Sequence, residues 1–151
     1  MFEHQYTDRI DIAAPPAAVW RVLSDLSRLP EWYFPSRRVR VIGPLPVAPG
    51  TRFLLWIRTA AGIEVEAPGE ILALEPERML RWRGHSAGIA ATATWNLAPN
   101  GTGTRMTHEF AGGGWMMLLS RASGRAPITA AKRLANLKRV VEQPGLAGKQ
   151  S

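Results

Sequence analysis

From Arg37 to Phe110 apolar and polar residues alternate with a period of two, interrupted at regular intervals by turn-forming residues. In 51–59, Arg52 and Arg58 fall on one side and Phe53, Leu55 and Ile57 on the other. In 79–84, Arg81 and Arg83 oppose Leu80 and Trp82. Ala91, Ala93, Trp95 and Leu97 share a side, and Met106, His108 and Phe110 oppose Arg105 and Glu109. Such alternation predicts strands with one buried face. Gly43-Pro44, Pro49-Gly50, Ala61-Gly62, Glu75-Pro76, His85 to Gly88 and Pro99-Asn100-Gly101 delimit them. Strands are expected near 38–43, 51–59, 63–75, 78–85, 89–98 and 102–111, after a first one over 3–13 with Tyr6, Ile10 and Ile12 at alternate positions. Asn100-Gly101 is the strongest hairpin signal. The short connections imply an antiparallel meander, because parallel pairing needs long crossovers.

Two segments keep the helical period instead. Pro15 and Pro16 suit the first turn of a helix, where a missing N–H is harmless, and Val19, Val22, Leu23 and Leu26 form one apolar face. Ser27 is expected to cap a second short helix reaching Trp32 or Tyr33, with Pro30 in its first turn. After Gly112-Gly113-Gly114, the stripe Ala126, Ala130, Leu134, Leu137 and Val141 predicts a main helix near 126–142, ended by Pro144-Gly145. A separate helical piece is expected near 114–123, with Pro127 kinking or splitting the segment. The order β-α-α-β-β-β-β-β-β-α describes an α+β helix-grip fold. In it, a curved seven-stranded antiparallel sheet surrounds a long C-terminal helix, with an apolar cavity between them.

Composition narrows the chemistry. At 151 residues, 46% of them hydrophobic, the chain suits one domain with a real core, expected over 1–143 with a flexible tail over 144–151. No apolar run approaches a bilayer span, and Glu3, Asp8, Arg9 and Asp11 do not make a signal peptide, so a cytoplasmic protein is expected. The absence of cysteine excludes disulfides, thiolate metal sites and cysteine nucleophiles. His4, His85 and His108 lack ligand spacing, so no metal and no cofactor is expected. The net charge is +7. Its clusters, Arg37, Arg38 and Arg40, then Lys132, Arg133, Lys138 and Arg139, read as a solvated surface rather than a nucleic-acid face. Trp56, on the Arg52 and Arg58 side, reads either as a homodimer contact or as a ring lying under an arginine stem.

The segment IAAPPAAVWRVLSDLSRLPEW, Ile12 to Trp32, resembles the opening of the SRPBCC superfamily, the START-like, birch-pollen-allergen-like proteins. Pro49-Gly50-Thr51-Arg52-Phe53 and Glu75 to Gly84 (EPERMLRWRG) resemble later motifs of the same superfamily. So do Trp95-Asn96-Leu97 with Gly103 to Thr107, and Leu134 to Glu142. Within it, the chain is most similar to the bacterial polyketide cyclase/dehydratase and lipid-transport type, over residues 5–142. The resemblance implies a pocket for a small apolar molecule, with Trp32 and Tyr33 at its mouth.

The inward residues Phe53, Leu55, Ile71, Trp82, Trp95 and His108 are candidate ligand contacts, with Ala130 on the facing helix. Met116 and Leu119 would wall the entrance, since methionines adapt to variable shapes. Where Ala91 and Ala93 face Ala126 and Ala130, either space remains or Trp82 and Trp95 fill it. His108 is the strongest polar candidate, as a neutral partner for a ligand oxygen or as a base near neutral pH. Tyr6 and Asp8 could join it as a polar end, because the first strand pairs with the last in this fold. Three functions fit: a carrier or binder of a lipid, polyketide or aromatic metabolite; a cyclase/dehydratase using these polar groups; and a non-catalytic accessory module acting through its surface.

Overall fold

The computed structural model describes residues 3–33, 36–43, 45–58, 61–86, 89–113 and 125–143. Strand β1 (Glu3–Ile12) leads into helix α1 (Pro16–Leu23), a 3-10 turn (Leu26–Arg28) and helix α2 (Leu29–Trp32). Strands β2 (Ser36–Ile42), β3 (Arg52–Arg58), β4 (Glu64–Glu75), β5 (Met79–Ser86), β6 (Ile89–Asn100) and β7 (Gly103–Gly113) follow, then helix α3 (Arg125–Glu142). The strands form one antiparallel sheet in the order β1-β7-β6-β5-β4-β3-β2. The meander is as the alternation predicts, and β1 closes it by pairing with β7. Helix α3 packs along β1 and against α1 and α2.

Local sequence explains most of these elements. Pro16 opens α1, and its apolar stripe buries Val19, Val22 and Leu23, with Leu26 buried in the turn that follows. The cap of that turn is Asp25, not Ser27: the Asp25 carboxylate accepts from the Ser27 N–H at 3.2 Å and from its hydroxyl at 2.5 Å. At β6–β7 the turn follows Asn100, with Gly101 at φ 63°. Pro127 does not divide the last helix, because α3 begins at Arg125 and a first-turn proline has no intrahelical bond to lose. The helical piece expected near 114–123 lies outside the described residues.

The two ends of α3 and β1 are tied together. Glu142 Oε2 accepts from the Ala13 N–H at 2.6 Å and from Lys138 Nζ at 2.5 Å, and Lys138 also donates to the Asp11 carbonyl at 2.9 Å. The Ala13 N–H, then Lys138, hold the Glu142 carboxyl below its usual range. Inside, Ile12, Leu23, Leu29, Trp32, Leu80, Trp95, Met106 and Leu137 are all essentially inaccessible, so the core lies between the inner face of the sheet and the three helices. No helix among the described residues is long and apolar enough to cross a membrane.

Candidate functional site

Strand register sorts the inner face of the sheet into rows. One row runs Leu80, Trp95, His108, Asp8 across β5, β6, β7 and β1. The next runs Ile71, Trp82, Ala93, Phe110, Tyr6. The third is nearly bare: Gly69, Gly84, Ala91, Gly112. The rings of the first two rows touch in sequence. Phe53 meets Trp82 at 5.6 Å between centroids, and Trp82 meets Trp95 at 5.6 Å. Trp95 stacks on His108 at 3.9 Å, and Tyr6 stacks on Phe110 at 4.7 Å. Gly69 makes the first of these contacts feasible: a Cβ there would lie 2.5 Å from the Phe53 ring. Offset and edge-on ring pairs of this kind add to the gain from burial alone.

Helices supply the opposing wall. Trp32, at the end of α2, meets Trp95 edge-on at 5.2 Å, and Tyr33 meets Trp82 edge-on at 5.7 Å. Arg133 on α3 lays its guanidinium over the Tyr33 ring, 4.0 Å from the centroid. One turn further, Asn136 Nδ2 donates to the Trp32 carbonyl at 3.4 Å and fastens α3 to α2.

The electrostatics of this face follow from burial. The His108 ring is 1% exposed. Burial, then the positive charge of Arg133, pushes its pKa down to about 3, so at neutral pH it is an uncharged hydrogen-bonding group rather than a base. Burial raises the Tyr6 hydroxyl to about 12, with Arg133 opposing, so Tyr6 is a neutral phenol. Burial also raises the Asp8 carboxyl. Four buried polar atoms have no hydrogen-bond partner among the described residues: Asp8 Oδ2, Trp32 Nε1, Trp95 Nε1 and His108 Nδ1. All four belong to this aromatic site or to the row beside it. Buried polar atoms are nearly always paired in folded proteins, which sets these four apart from the rest of the core.

The pairing of β1 with β7, expected of the helix-grip fold, brings Asp8 opposite His108, while Tyr6 lies opposite Phe110. Trp32, Tyr33, Phe53, Trp82, Trp95 and His108 join one aromatic array, with Ile71 inside it and Leu55 one strand to the side, paired with Ala67. Ala130 lies in the first half of α3, and Met116 and Leu119 fall outside the described residues. At the sheet centre Trp32, Trp82 and Trp95 are at most 4% exposed and lie ring to ring. The internal cavity expected between sheet and helix is not outlined by the described residues. A depression of about 820 Å³ is lined by Arg52, Glu70, Arg83, His85 and Thr92 together with the bare row Gly69, Gly84, Ala91 and Gly112. Another, of about 420 Å³, opens beside α1 between Trp20, Leu26, Leu45 and Leu74. Trp56 is the ring under an arginine: the Arg38 guanidinium lies 4.3 Å from its centroid. Arg133 was not predicted. On the helix pattern it reads as a solvated flank of the apolar stripe, and only its place over Tyr33 brings it into the site. Among the described residues no group of His, Asp and Glu is arranged to hold a metal.

Comparison with known proteins agrees with this architecture. The family model described as polyketide cyclase / dehydrase and lipid transport matches residues 3–142. Among solved structures, the Zhui aromatase/cyclase from Streptomyces sp. R1128 superimposes with a TM-score of 0.80 at 13% identity, over 94% of this chain and 95% of that one. A protein from Thermus thermophilus gives a TM-score of 0.77 at 20% identity, over 93% and 99% of the two chains. The di-domain aromatase/cyclase StfQ of the steffimycin biosynthetic pathway gives 0.76 at 13% identity, over 95% of this chain and 52% of that one. At these identities the likeness is one of fold. Among curated proteins, none matches the chain by sequence.

Proposed function

The chain belongs to that polyketide cyclase / dehydrase and lipid transport family, and from this premise we propose that it binds a planar, oxygen-bearing ring compound against the aromatic rows beneath α3. The observation that carries this reading is the coincidence of two features at one place. A continuous set of rings lies beneath the helices, and four buried polar atoms among or beside them lack partners among the described residues. The indole N–H groups of Trp32 and Trp95 call for an acceptor, such as a carbonyl or phenol oxygen. Asp8 Oδ2 calls for a donor, such as a ligand hydroxyl. A plain hydrocarbon tail would leave all four unsatisfied, at a cost of roughly 1–3 kcal/mol for each such group.

A second reading, cyclisation or dehydration of such a ligand, draws on the named aromatase/cyclases of the same fold. In this reading Tyr6, as a neutral phenol, donates to a ligand carbonyl, and His108 orients it as a neutral imidazole. Asp8, raised by burial, is the group available to take up a proton. Mass spectrometry of small molecules released from freshly purified protein tests the shared premise. A stoichiometric oxygenated aromatic that is lost from a Trp95→Ala variant is the expected result. A saturated fatty acid in its place would overturn the reading in favour of lipid carriage. Incubation of the recovered compound with fresh protein, followed by a search for loss of water, separates binder from enzyme.

A further inference from the structure

We propose that the free edge of β2 is a docking site for an extended acidic segment of another protein, which adds to the sheet as a further strand. β2 ends the sheet: it pairs with β3 on one side and with no strand on the other. The Ser36 N–H donates to the Tyr33 carbonyl at 2.9 Å. Among the described residues no other backbone bond reaches β2 from outside its pairing with β3. Every second residue of such a strand turns its N–H and C=O away from the sheet, so β2 offers the main-chain donors and acceptors that an added strand takes up. Although α2 and the 3-10 turn pack on β2, its Arg37, Arg38, Arg40 and Ile42 remain exposed, Ile42 at 47%.

The side chains along this edge decide what kind of segment it takes. Arg38 is committed, since it bonds Glu64 at 2.8 Å and covers Trp56. Arg37, in the bulge between Ser36 and Arg38, and Arg40 have no ion-pair partner among the described residues. Arg38, Arg40 and Ile42 share the outer side of the strand, and Val39 and Val41 the inner side. Two copies of β2 joined edge to edge would crowd these arginines together, and like charges on facing strands are unfavourable. An acidic side chain opposite Arg40 gains what a second copy loses, so the charge selects an acidic partner. On the inner side Val41 opens, near the end of the strand, on the depression of about 420 Å³ beside α1. Leu45, 67% exposed, lines the same depression. Asp25 lines it too, but its carboxylate is taken up by Ser27, so the place suits an apolar side chain and repels an acid. The fitting segment therefore alternates, with acids on the outer side and apolar residues on the inner, as successive side chains of a strand do.

The test is fluorescence anisotropy of labelled, capped peptides titrated with the full chain. One peptide alternates glutamate with valine, a second alternates lysine with valine, and a third is the glutamate peptide with two adjacent prolines at its centre. We expect the glutamate peptide to bind about tenfold or more tightly than the lysine peptide, because cross-strand charge pairs turn from attractive to repulsive. The proline peptide should lose binding: whichever way it lies, one of the two prolines faces β2 and has no N–H to donate. In the double variant Arg37→Glu, Arg40→Glu the preference should reverse toward lysine. Circular dichroism checks that this variant folds; Arg40→Gln, in which the preference should shrink, takes its place if it does not. Failure of the glutamate peptide to bind, a preference that survives the change of charge, or a proline peptide that binds as well overturns the proposal, and the arginines then only guard an exposed edge. None of these outcomes touches the ring-binding reading, because the ring rows run from β4 and β5 to β1 and leave β2 aside.

Discussion

The two faces of the same sheet are built from the same strands in the same register, yet they differ in what a single residue is worth. On the inner face Trp82, Trp95 and His108 are buried ring against ring. On the outer face the neighbouring positions carry Arg81, Arg83, Glu70 and Arg52, which are solvated. There Arg83 meets Glu70 at 3.1 Å, and Arg38 meets Glu64 at 2.8 Å while covering Trp56. A one-residue step along a strand thus moves from a place where contacts are irreplaceable to one where water can replace them. The inner face concentrates stability and binding, whereas the outer face supplies solubility and charge.

The largest break in this contrast is expected from Trp95→Ala. It removes a side chain that touches Trp32, Trp82 and His108 at once, and should cost about 3–5 kcal/mol in urea unfolding. Gly69→Ala is a subtler inner-face test, since the added methyl would lie 2.5 Å from the Phe53 ring. About 1–3 kcal/mol is expected, as for other overpacked cores, with the ring displaced from Trp82. A loss no larger than that of a surface substitution would show that the Phe53 ring is not confined.

The next effect depends on pH. His108 has its pKa lowered to about 3 in the folded protein, against an ordinary value near 6.5, so the unfolded chain binds a proton that the folded one refuses. Stability from this residue is fully present above pH 6.5 and falls as pH drops toward 3, by at most about 1.4 kcal/mol per pH unit. Asp11 and Glu142, whose carboxyls are lowered, lose their contribution only further down, through the carboxylate range. Unfolding measured between pH 6.5 and 5 therefore reports on His108, with the raised Asp8 carboxyl acting in the opposite sense, and His108→Leu should reduce the fall in stability across that window. A slope unchanged in the variant would assign the window to another group.

Much of this was legible in the chain because strand alternation carries it. Charges at Arg52, Arg81, Arg83 and Arg105 mark the outer side, so Phe53, Leu80, Trp82, Trp95 and Met106 had to face in, and they are all buried. The helix-grip fold, rather than alternation, supplies the pairing of the first strand with the last that sets Asp8 opposite His108. Three features lay beyond that pattern. Asp25 and Ser27 are both good caps two positions apart, and only backbone geometry chooses between them. Whether Pro127 breaks a helix depends on where the helix begins, which the apolar stripe does not state. Arg133 is hidden for a different reason: a basic residue next to a buried stripe looks solvated unless the helix's neighbour is known, and here that neighbour is Tyr33.

The smallest expected effect sharpens the comparison most. A double-mutant cycle on Glu70→Ala and Arg83→Ala, a pair joined at 3.1 Å on the outer face, should return a coupling below about 1 kcal/mol. The Arg83 side chain is 62% exposed, so holding it costs conformational entropy and its charge is screened. Raising the salt concentration should shrink the coupling further, whereas the loss in Trp95→Ala should change little. A coupling of several kcal/mol at Glu70 and Arg83 would mean that this face is covered in the working protein. The depression that these two residues help to line would then be an interface rather than open surface.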